Sequence, residues 1–437
     1  MVIAAGAGPS WLDHSIWWHV YPLGFTGAEA AALPSGTPRR HRLRRLAKWL
    51  DYAVDLGVSG LQLGPIFTSE THGYDTTDYF TIDPRLGDDR DFDELILAAH
   101  ERGLRVVLDG VFNHVGRSFP RFGDPGSAHW FRPTADGHET FEGHHSLVRL
   151  NHDAPDVLDH VVRVMDHWLD RGASGWRLDA AYAVPPAFWR QALDRVRPLH
   201  PSACFAGEVI HGDYAGYATA SGLDSITQYE LWKAIWSSLN ERNLFELAWA
   251  LDRHNGFLES FLPLTFVGNH DVTRLASRLD DERHLGHALA VLFTVGGLPV
   301  IYYGDEQAFH GVKEERAGGD EAIRPSFPDH RDDLAPYGWH TYRLHQRLAG
   351  LRRRHPWLVR ARTAVRHLSN TAAALEMTDG AGHRLVTLLN LSDHPHRFPL
   401  DDTGLAVADA SARTAEPCLV PEHGWAVLHQ VTHAGVR

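Results

Sequence analysis

The segment GASGWRLDAAY, at residues 172–182, places two charged side chains, Arg177 and Asp179, among apolar ones. Alternate side chains of an extended strand point the same way, so this guanidinium and this carboxylate share one face, while Trp176 and Leu178 point to the other. A guanidinium beside a carboxylate keeps it ionised. The pair is therefore either a structural ion pair or a nucleophilic carboxylate with its partner cation, and the spacing alone leaves both interpretations open.

Three further carboxylates stand in the same kind of position. Asp109, Glu208 and Asp271, like Asp179, each end an apolar run suited to a β-strand. Taken singly, each of these carboxylates is more simply interpreted as a helix cap or a loop residue. Four carboxylates at equivalent strand ends are instead expected to lie together at one end of the barrel, because functional groups of parallel β/α barrels lie where the strands end and the following loops begin.

The elements that would position these carboxylates repeat one plan of amphipathic helix, glycine-containing turn and apolar run. The turns and runs at 55–64 and 170–179 superpose, with Asp, Gly, Ser, Gly and Leu at matching places. Such self-similarity indicates a repeated helix–strand unit. In this superposition Gly64 stands where Asp179 stands, so the scaffold does not itself require a carboxylate there. This weakens the purely structural interpretation of Asp179.

The whole chain predicts an α/β fold, a (β/α)8 barrel. Besides the runs at 55–64, 101–110 and 170–179, runs suited to strands occur at 16–22, 203–208, 224–230, 264–271 and 296–306. Eight strands that alternate with helices imply a closed parallel barrel. We expect the barrel over 1–355, a short excursion (a reduced B domain) within it at 115–150, and a C-terminal antiparallel β-sandwich domain over 356–437.

Composition excludes several classes of protein. The chain has 42 basic and 55 acidic residues, a formal charge of −13, which predicts neither nucleic acid nor an anionic membrane as a partner. Without an evident signal peptide or apolar span we expect a cytoplasmic protein. The arginine-rich stretches at 41–46 and 351–355 are predicted to be solvated helix faces. The histidine-rich stretch FEGHHS at 141–146 matches no zinc-site spacing, so no metal site is predicted.

The ordered set of motifs resembles the alpha-amylase family of retaining glycosidases. The resemblance rests on DGVFNH (109–114), GWRLDAAY (175–182), GEVIH (207–211) and FVGNHD (266–271), supported by HGYDTTDYFTIDPRLGD (72–88) and YYGDE (302–306). Each motif alone is weak, whereas the ordered set is specific. It implies a glycosidase that acts on α-glucosidic bonds.

The resemblance also implies roles for particular residues. Asp179 matches the nucleophile, Glu208 the general acid/base and Asp271 the third carboxylate, while Arg177 would orient and ionise Asp179. The implied substrate contacts are Tyr74, Asp75, Asp109, His114, Arg177, His270, Asp320 and Arg324. These residue types suit the chemistry, because breaking a glycosidic bond through a covalent intermediate needs one ionised carboxylate to attack and one protonated carboxyl group to release the alcohol.

Departures from the family pattern narrow the expected substrate. Tyr182 and Ala183 stand where long-chain amylases carry a Lys and a His, so long starch is not the expected substrate. The GGD…R stretch and the spacing of Glu208 and His211 resemble members that degrade short or cyclic α-glucans, and Ala180 after Asp179 resembles α-1,4-acting members. Family members with a large excursion share a calcium ion with the Asn of DGVFNH; here the excursion is short, so no cofactor is predicted and calcium is not indicated. Oligomeric state is left open.

Three alternatives remain open at this point, of which a metal-dependent hydrolase that uses the histidine-rich loop is the weakest. A transglycosylase or isomerase of α-glucosides would share every catalytic residue and differ only in whether water or a sugar intercepts the intermediate. A non-catalytic glucan-binding protein would keep the barrel, but degenerate relatives of that kind usually lose one of the three carboxylates, and all three are present here.

Overall fold

The computed structural model describes residues 8–135, 137–316, 318–401, 403–413 and 416–431. Within these residues eight parallel strands form a closed barrel, which confirms the predicted fold class. The strands are β1 (Trp17–Val20), β2 (Gly60–Leu63), β3 (Arg105–Gly110), β4 (Gly175–Leu178), β5 (Cys204–Gly207), β6 (Ser225–Thr227), β7 (Leu262–Phe266) and β8 (Leu298–Tyr302). Each strand lies beside its neighbour in sequence.

Helices alternate with these strands, as the apolar periodicity predicts. The α-helices are Pro22–Phe25, Leu43–Ala47, Leu50–Leu56, Asp89–Glu101, Pro155–Asp170, Pro186–Val196, Tyr214–Ser221, Tyr229–Asn240, Leu244–Phe257, Leu275–Arg278, Leu285–Thr294 and Gly338–Arg354. Short 3-10 turns are Ser10–His14, Pro125–Trp130, Ala181–Ala183, Glu282–His284, Asp305–Gln307, Glu321–Ile323, Arg331–Asp333 and Pro356–Arg360. None of the described helices combines the length and hydropathy needed to cross a bilayer.

The chain divides into two compact units. The first contains the described residues of 1–12, 17–227 and 324–334, and the second those of 13–16, 228–323 and 335–437. The first unit holds β1 to β6 and the excursion. The second holds β7, β8 and the C-terminal strands. Each unit has a close-packed apolar interior.

The repeated helix–strand unit has the same backbone in both copies. Gly57 and Gly172 each follow a helix with a left-handed φ, of 96° and 99° respectively, which an L side chain rarely adopts. Two residues further on, the carbonyl oxygen of Ser59 accepts a hydrogen bond from the N–H of Arg105, the first residue of β3, at 3.0 Å. The carbonyl oxygen of Ser174 accepts one in the same way from the N–H of Cys204, the first residue of β5, at 3.1 Å. The matching residues at 55–64 and 170–179 therefore specify how each strand enters the barrel.

The C-terminal strands form a five-stranded antiparallel sheet and a two-stranded one. The five are β9 (Arg362–Leu368), β10 (Ala372–Thr378), β11 (Arg384–Asn390), β12 (Leu405–Ala410) and β13 (Trp425–Gln430), in the order β9-β10-β11-β13-β12. The short strands His396–Arg397 and Leu419–Val420 pair with each other. Their shared core includes Val386, Leu388, Phe398 and Leu428.

The domain boundary between residues 355 and 356 and the bounds 115–150 of the excursion stay predictions.

The excursion after β3 carries its own small sheet. Strands His114–Gly116, Thr140–Phe141 and His144–Arg149 pair antiparallel, and a hairpin of Pro133–Thr134 with Gly137–His138 lies between them in sequence. The order within the sheet places His144–Arg149 in the centre. The predicted irregular loop is therefore partly ordered into β-structure.

The prediction that the arginines of 351–355 form a solvated face is wrong for Arg352. Its side chain is buried in the second unit, and its guanidinium donates to the carbonyl oxygens of Phe293, Val295 and Gly297. These carbonyls lie at the end of a helix and before β8, where they lack helical or strand partners. Burial lowers the pKa of Arg352 to about 9. The charged side chain of Arg352 thus satisfies buried backbone carbonyl groups, and the composition of the segment 351–355 gives no sign of this role.

We expect Arg352→Met to lower the free energy of unfolding by about 3 kcal/mol, because it leaves buried carbonyl oxygens without donors. Arg354→Met is the matched control, since Arg354 lies two residues along the same helix and is exposed. Thermal and denaturant unfolding of both variants would test this. Equal midpoints for the two variants would contradict it.

Several of the 31 histidines are buried and hydrogen-bonded to backbone carbonyl groups or packed against aromatic rings. Burial lowers the pKa of His160, His254 and His345 to about 4, and of His114 and His287 to about 3, from an ordinary value of 6.5. These rings are therefore neutral in the folded protein at neutral pH. Each takes up a proton near pH 6.5 once the chain unfolds.

This difference predicts a loss of stability in mildly acidic solution. A depressed folded-state pKa makes the unfolded chain bind more protons, so the stability present above pH 6.5 falls as the pH drops through 6 and 5 toward 4. Thermal midpoints measured at pH 8, 7, 6 and 5 should fall mainly below pH 7. Carboxylates that are paired in the folded protein become protonated, and so reduce stability, only at lower pH. A thermal midpoint that stayed constant down to pH 5 would therefore be inconsistent with neutral buried histidines.

Candidate active site

One buried guanidinium binds three carboxylates at the ends of adjacent barrel strands. Nη1 of Arg177 lies 2.9 and 3.0 Å from the two carboxylate oxygens of Asp109 and 2.8 Å from Oδ1 of Asp179. Nη2 lies 2.6 Å from Oε1 of Glu208. All four side chains are buried. The sequence predicted that Arg177 would hold Asp179; the structure adds Asp109 and Glu208 as partners of the same cation.

Strand register explains why these groups meet. Arg177 on β4 lies opposite Asp109 on β3 and Ala206 on β5. Asp179 and Glu208 come just beyond the paired residues of their strands. Burial lowers the pKa of Arg177, but the charges of Asp109 and Glu208 outweigh it and hold this pKa well above its ordinary value. The guanidinium therefore stays charged.

The loop after Asp179 also positions Glu208. The backbone N–H of Ala180 donates to Oε2 of Glu208 at 3.0 Å, and the N–H of Tyr182 donates to the Glu208 carbonyl oxygen at 3.2 Å. Ala180 has a left-handed φ of 44°, unusual for a residue with a side chain. Strained backbone of this kind persists where surrounding contacts fix it, and is common at functional sites. Both oxygens of Glu208 are thus held by groups that also surround Asp179.

Tyr74 lies against the same cluster. Its Oη donates to Oδ2 of Asp109 at 3.0 Å, and its ring lies parallel to that of Tyr21, with centroids 6.5 Å apart. The guanidinium of Arg324 lies 4.9 Å from the centroid of the Tyr21 ring. Two predicted substrate contacts, Tyr74 and Arg324, are therefore linked through Tyr21. Sequence reasoning missed Tyr21, although its place directly after β1 was an available signal.

The loop that carries Tyr74 and Asp75 is fixed by a buried ion pair. Arg85 donates to both oxygens of Asp83 at 2.9 and 2.7 Å, to Oγ of Ser69 at 2.7 Å and to the carbonyl oxygen of Thr71. Asp75 is itself buried and accepts a hydrogen bond from the Thr71 hydroxyl. The loop after β2 therefore has little freedom, which suits a residue that must present an aromatic face.

His114 is buried with both ring nitrogens in protein hydrogen bonds. Its Nε2–H donates to the carbonyl oxygen of Tyr74 at 2.9 Å, and its Nδ1 accepts from Nδ2 of Asn113 at 3.1 Å. Because burial lowers its pKa to about 3, the ring is neutral. In this arrangement His114 positions the Tyr74 backbone. A direct contact between His114 and a sugar stays a prediction.

The excursion contacts the loop that follows Asp179. Phe141 stacks on His114, with centroids 4.7 Å apart, and the Tyr182 hydroxyl donates to Oε1 of Glu142. Arg149 donates to the Ala183 carbonyl oxygen at 2.9 Å and pairs with a carboxylate of the excursion, that of Glu139. Sequence reasoning predicted the excursion but not these contacts, because they depend on its ordered strands.

Asn113, the Asn of DGVFNH, is buried, and its Oδ1 has no hydrogen-bond partner within the described residues. Its Nδ2 donates to Nδ1 of His114. Calcium takes 6–8 oxygen ligands. The two groups of histidines and carboxylates within the described residues that could hold a metal lie elsewhere. That the protein needs no calcium remains a prediction.

The remaining predicted residues lie in the second unit. Asp271 follows β7 at the expected place; its N–H donates to Oδ1 of Asn269 at 2.9 Å, and its Oδ2 lies 3.0 Å from Nε2 of buried His270. The Asp271 side chain is about one-third exposed, at 35%. Asp320 lies 3.8 Å from Nζ of Lys313. Asp271 is thus oriented by its neighbours while one side remains accessible.

The chain matches a known family over most of its length. The family profile described as "Alpha amylase, catalytic domain" matches residues 20–139 and 125–380. Among curated relatives, the cyclomaltodextrinase of a Bacillus sp is 29% identical over 431 residues, which cover 89% of this chain and 76% of that protein. The intracellular maltogenic amylase of Bacillus subtilis (strain 168) is 29% identical over 338 residues, or 70% of this chain and 57% of that protein.

A solved structure extends the likeness to nearly the whole chain. The cyclic alpha-maltosyl-(1-->6)-maltose hydrolase of Arthrobacter globiformis superposes with a TM-score of 0.82 at 25% identity, covering 98% of this chain and 100% of that one. The alignment spans little more than half of the Bacillus subtilis relative. The family profile nevertheless matches well over half of this sequence. The chain belongs to the alpha-amylase family of glycosidases.

Proposed function

We propose that this protein is a retaining glycosidase that cleaves α-1,4-glucosidic bonds in short or cyclic α-glucans. The carrying observation is the arrangement in which one buried guanidinium binds Asp109, Asp179 and Glu208. Retaining glycosidases need two carboxyl groups only about 5 Å apart, whereas inverting ones leave room for a water between them. Asp179 and Glu208 are bound to the two terminal nitrogens of the same guanidinium, which supports the short separation that a retaining enzyme needs.

The proposed roles follow from the chemistry of the two steps. Three carboxyl groups around one guanidinium leave room for one added proton, and in the reacting form we place this proton on Glu208 while Asp179 stays ionised beside Arg177. Asp179 then attacks the anomeric carbon as Glu208 gives its proton to the departing glycosidic oxygen. In the second step Glu208 accepts a proton from water, which displaces Asp179 and restores the original anomeric configuration. Asp271, with one side exposed, is proposed to bind the hydroxyl groups of the sugar and to stabilise the positive charge of the transition state.

The other contacts are proposed to hold the glucose units. Tyr74 offers its aromatic face to the ring at the cleaved bond, with Asp75, Asp109, His114 and His270 around it. Asp320 and Arg324 are proposed to hold the next glucose on the non-reducing side. Arg324 lies over the ring of Tyr21 in the first unit, with its guanidinium 4.9 Å from the ring centroid.

Support for the substrate class comes from the relatives. Their names describe a cyclomaltodextrinase, a maltogenic amylase and a hydrolase of a cyclic maltosyl-maltose. Tyr182 forms its hydrogen bond with the excursion rather than presenting the cationic group of long-chain amylases. We further propose a cytoplasmic location, in line with a relative named intracellular. A product time course on cyclodextrins, maltooligosaccharides, pullulan and trehalose tests the substrate class.

The same time course separates hydrolysis from transfer. Glucose or maltose released first as the α-anomer is the expected result. Mainly longer or relinked sugars would identify a transferase or isomerase. Binding without turnover would overturn the enzymatic assignment.

We expect Asp179→Asn to reduce turnover by roughly 10⁴-fold or more, because an amide keeps the shape of the side chain but cannot attack. Asp194→Asn, at an exposed position of the helix Pro186–Val196, is the matched control. Circular dichroism would establish that both variants fold. With Asp179→Ala, azide should restore turnover of an α-glucosyl fluoride and form the β-glucosyl azide; no such product, or near-normal turnover by Asp179→Asn, would refute the assignment.

Arg177→Lys should lower kcat/KM by about 100-fold, since a small displacement of reacting groups has that effect. A lysine keeps the charge, but its single ammonium cannot reproduce the planar fork that binds Asp109, Asp179 and Glu208. The pH profile of kcat/KM should also change, because the ammonium group of a lysine cannot contact both reacting carboxyl groups as the two nitrogens of the fork do. Unaltered kinetics and pH profile would show that the fork is dispensable.

A further inference from the structure

A cluster of two histidines and two aspartates lies in the second unit, apart from every predicted active-site residue. We call it the His284–His423 cluster; its members are Asp281, His284, Asp393 and His423. Asp281 and His284 flank and end the 3-10 turn Glu282–His284, while Asp393 follows β11 and His423 precedes β13. Nε2 of His284 lies 3.0 Å from Nδ1 of His423. Oδ2 of Asp281 lies 3.8 Å from that same Nδ1.

We propose that this cluster binds one Zn²⁺ ion, with Nε2 of His284, Nδ1 of His423 and the Asp281 carboxylate as protein ligands and a water as the fourth. Imidazole and carboxylate are common zinc ligands. The three candidate ligand atoms all lie within 4.8 Å of one another. The ion would join the turn before the helix Leu285–Thr294 to the C-terminal sheet within the second unit, so its binding would stabilise the folded unit.

The distances suit a tetrahedral ion. Zinc–nitrogen bonds of about 2.0–2.1 Å place two ligands of a tetrahedral site roughly 3.3 Å apart. The two imidazole nitrogens lie 3.0 Å apart, with ring centroids 5.3 Å apart, so they now face each other along one hydrogen bond. Zinc binding therefore requires a small outward shift and a turn of the rings, so that both lone pairs meet at the ion. The Asp281 oxygen, at 3.8 Å from Nδ1 of His423, needs a comparable inward movement.

His423 has the surroundings of a metal ligand. Its second nitrogen, Nε2, lies 2.7 Å from Oδ1 of Asp393, so Nε2–H donates a hydrogen bond to this carboxylate and the lone pair of Nδ1 is directed at His284. Histidines that bind metals almost always donate their other N–H in this way. His423 also has a left-handed φ of 47°, which a side chain adopts only where contacts fix it.

The proton between the two rings must move when the ion binds. With Nε2 of His423 protonated, His284 supplies the hydrogen of the bond between the rings. On zinc binding this proton leaves Nε2 of His284, for Nδ1 of the same ring or for the solvent, so that both rings contribute a lone pair. Burial lowers the pKa of His284 to about 4, so the ring carries no second proton to remove at neutral pH.

Two arginines also contact the cluster and are compatible with the ion. Arg283 pairs with Asp281 at 2.6 Å, and Arg242 lies 3.3 Å from Oδ2 of Asp393. Both side chains are largely exposed, at 57% and 43%, so they can move outward as the ion approaches. A carboxylate has about four lone pairs, so Asp281 can bind the ion while it keeps a hydrogen bond to Arg283.

The chain offers two matched controls. His367 and His396 also approach closely, with Nε2 atoms 3.2 Å apart, but neither belongs to a group that could hold a metal within the described residues. His41 lies with Asp88 and Asp91 in the second such group, on an exposed side chain. His396→Gln and His41→Gln therefore test whether any histidine pair, or any histidine beside carboxylates, gives the same signal.

The experiment is a titration of the metal-free full chain with Co²⁺ and then Zn²⁺. We expect one equivalent of Co²⁺ to give the intense visible absorption of a tetrahedral site, and one equivalent of Zn²⁺ to abolish it and raise the thermal midpoint by several degrees. His284→Gln and His423→Gln should weaken binding at least tenfold. His396→Gln and His41→Gln should bind as the wild type does.

Other outcomes overturn the proposal. These are the absence of a stoichiometric absorption band, equal binding by His284→Gln and His423→Gln, or loss of binding in His41→Gln. If the cluster variants do not fold by circular dichroism, X-ray absorption of the one-to-one Zn²⁺ complex of the wild type decides. Two imidazole ligands support the site, and fewer than two refute it.

Discussion

The candidate active site depends on one buried guanidinium that lies among three buried carboxyl groups. A buried carboxylate without a partner is costly, and three together would repel one another as well. Arg177 solves this because its planar fork reaches Asp109, Asp179 and Glu208 at once. The solution works only if β3, β4 and β5 keep their register, since each carboxylate comes from a different strand. The contacts of Arg177 therefore depend on the same strand register that closes the barrel.

Much of this could be predicted from the sequence, for a physical reason. Parallel strands end at the same edge of a barrel, so Asp109, Asp179 and Glu208 could be placed together from their positions after apolar runs alone. The repeat between 55–64 and 170–179 showed that Asp179 was not needed by the scaffold. The order of the motifs then indicated the family, and its profile match confirmed it.

What could not be predicted depends on contacts without a sequence pattern. Arg352 binds backbone carbonyl oxygens, which every residue possesses, so nothing distinguishes it from the exposed arginines beside it. The same holds for His114, whose ring serves the Tyr74 backbone, and for the partners of Arg149 within the excursion. Histidines 284 and 423 are 139 residues apart, and only the folded second unit brings them within hydrogen-bonding distance.

The excursion and the loop after Asp179 are joined by side chains from both segments. The ring of Phe141 lies 6.4 Å from that of Tyr182, Glu142 accepts a hydrogen bond from the Tyr182 hydroxyl, and Arg149 donates to the Ala183 carbonyl oxygen. The two segments therefore constrain each other. An excursion transplanted from a relative would arrive without matching partners in this loop, so an exchange that preserves the fold must replace both segments together.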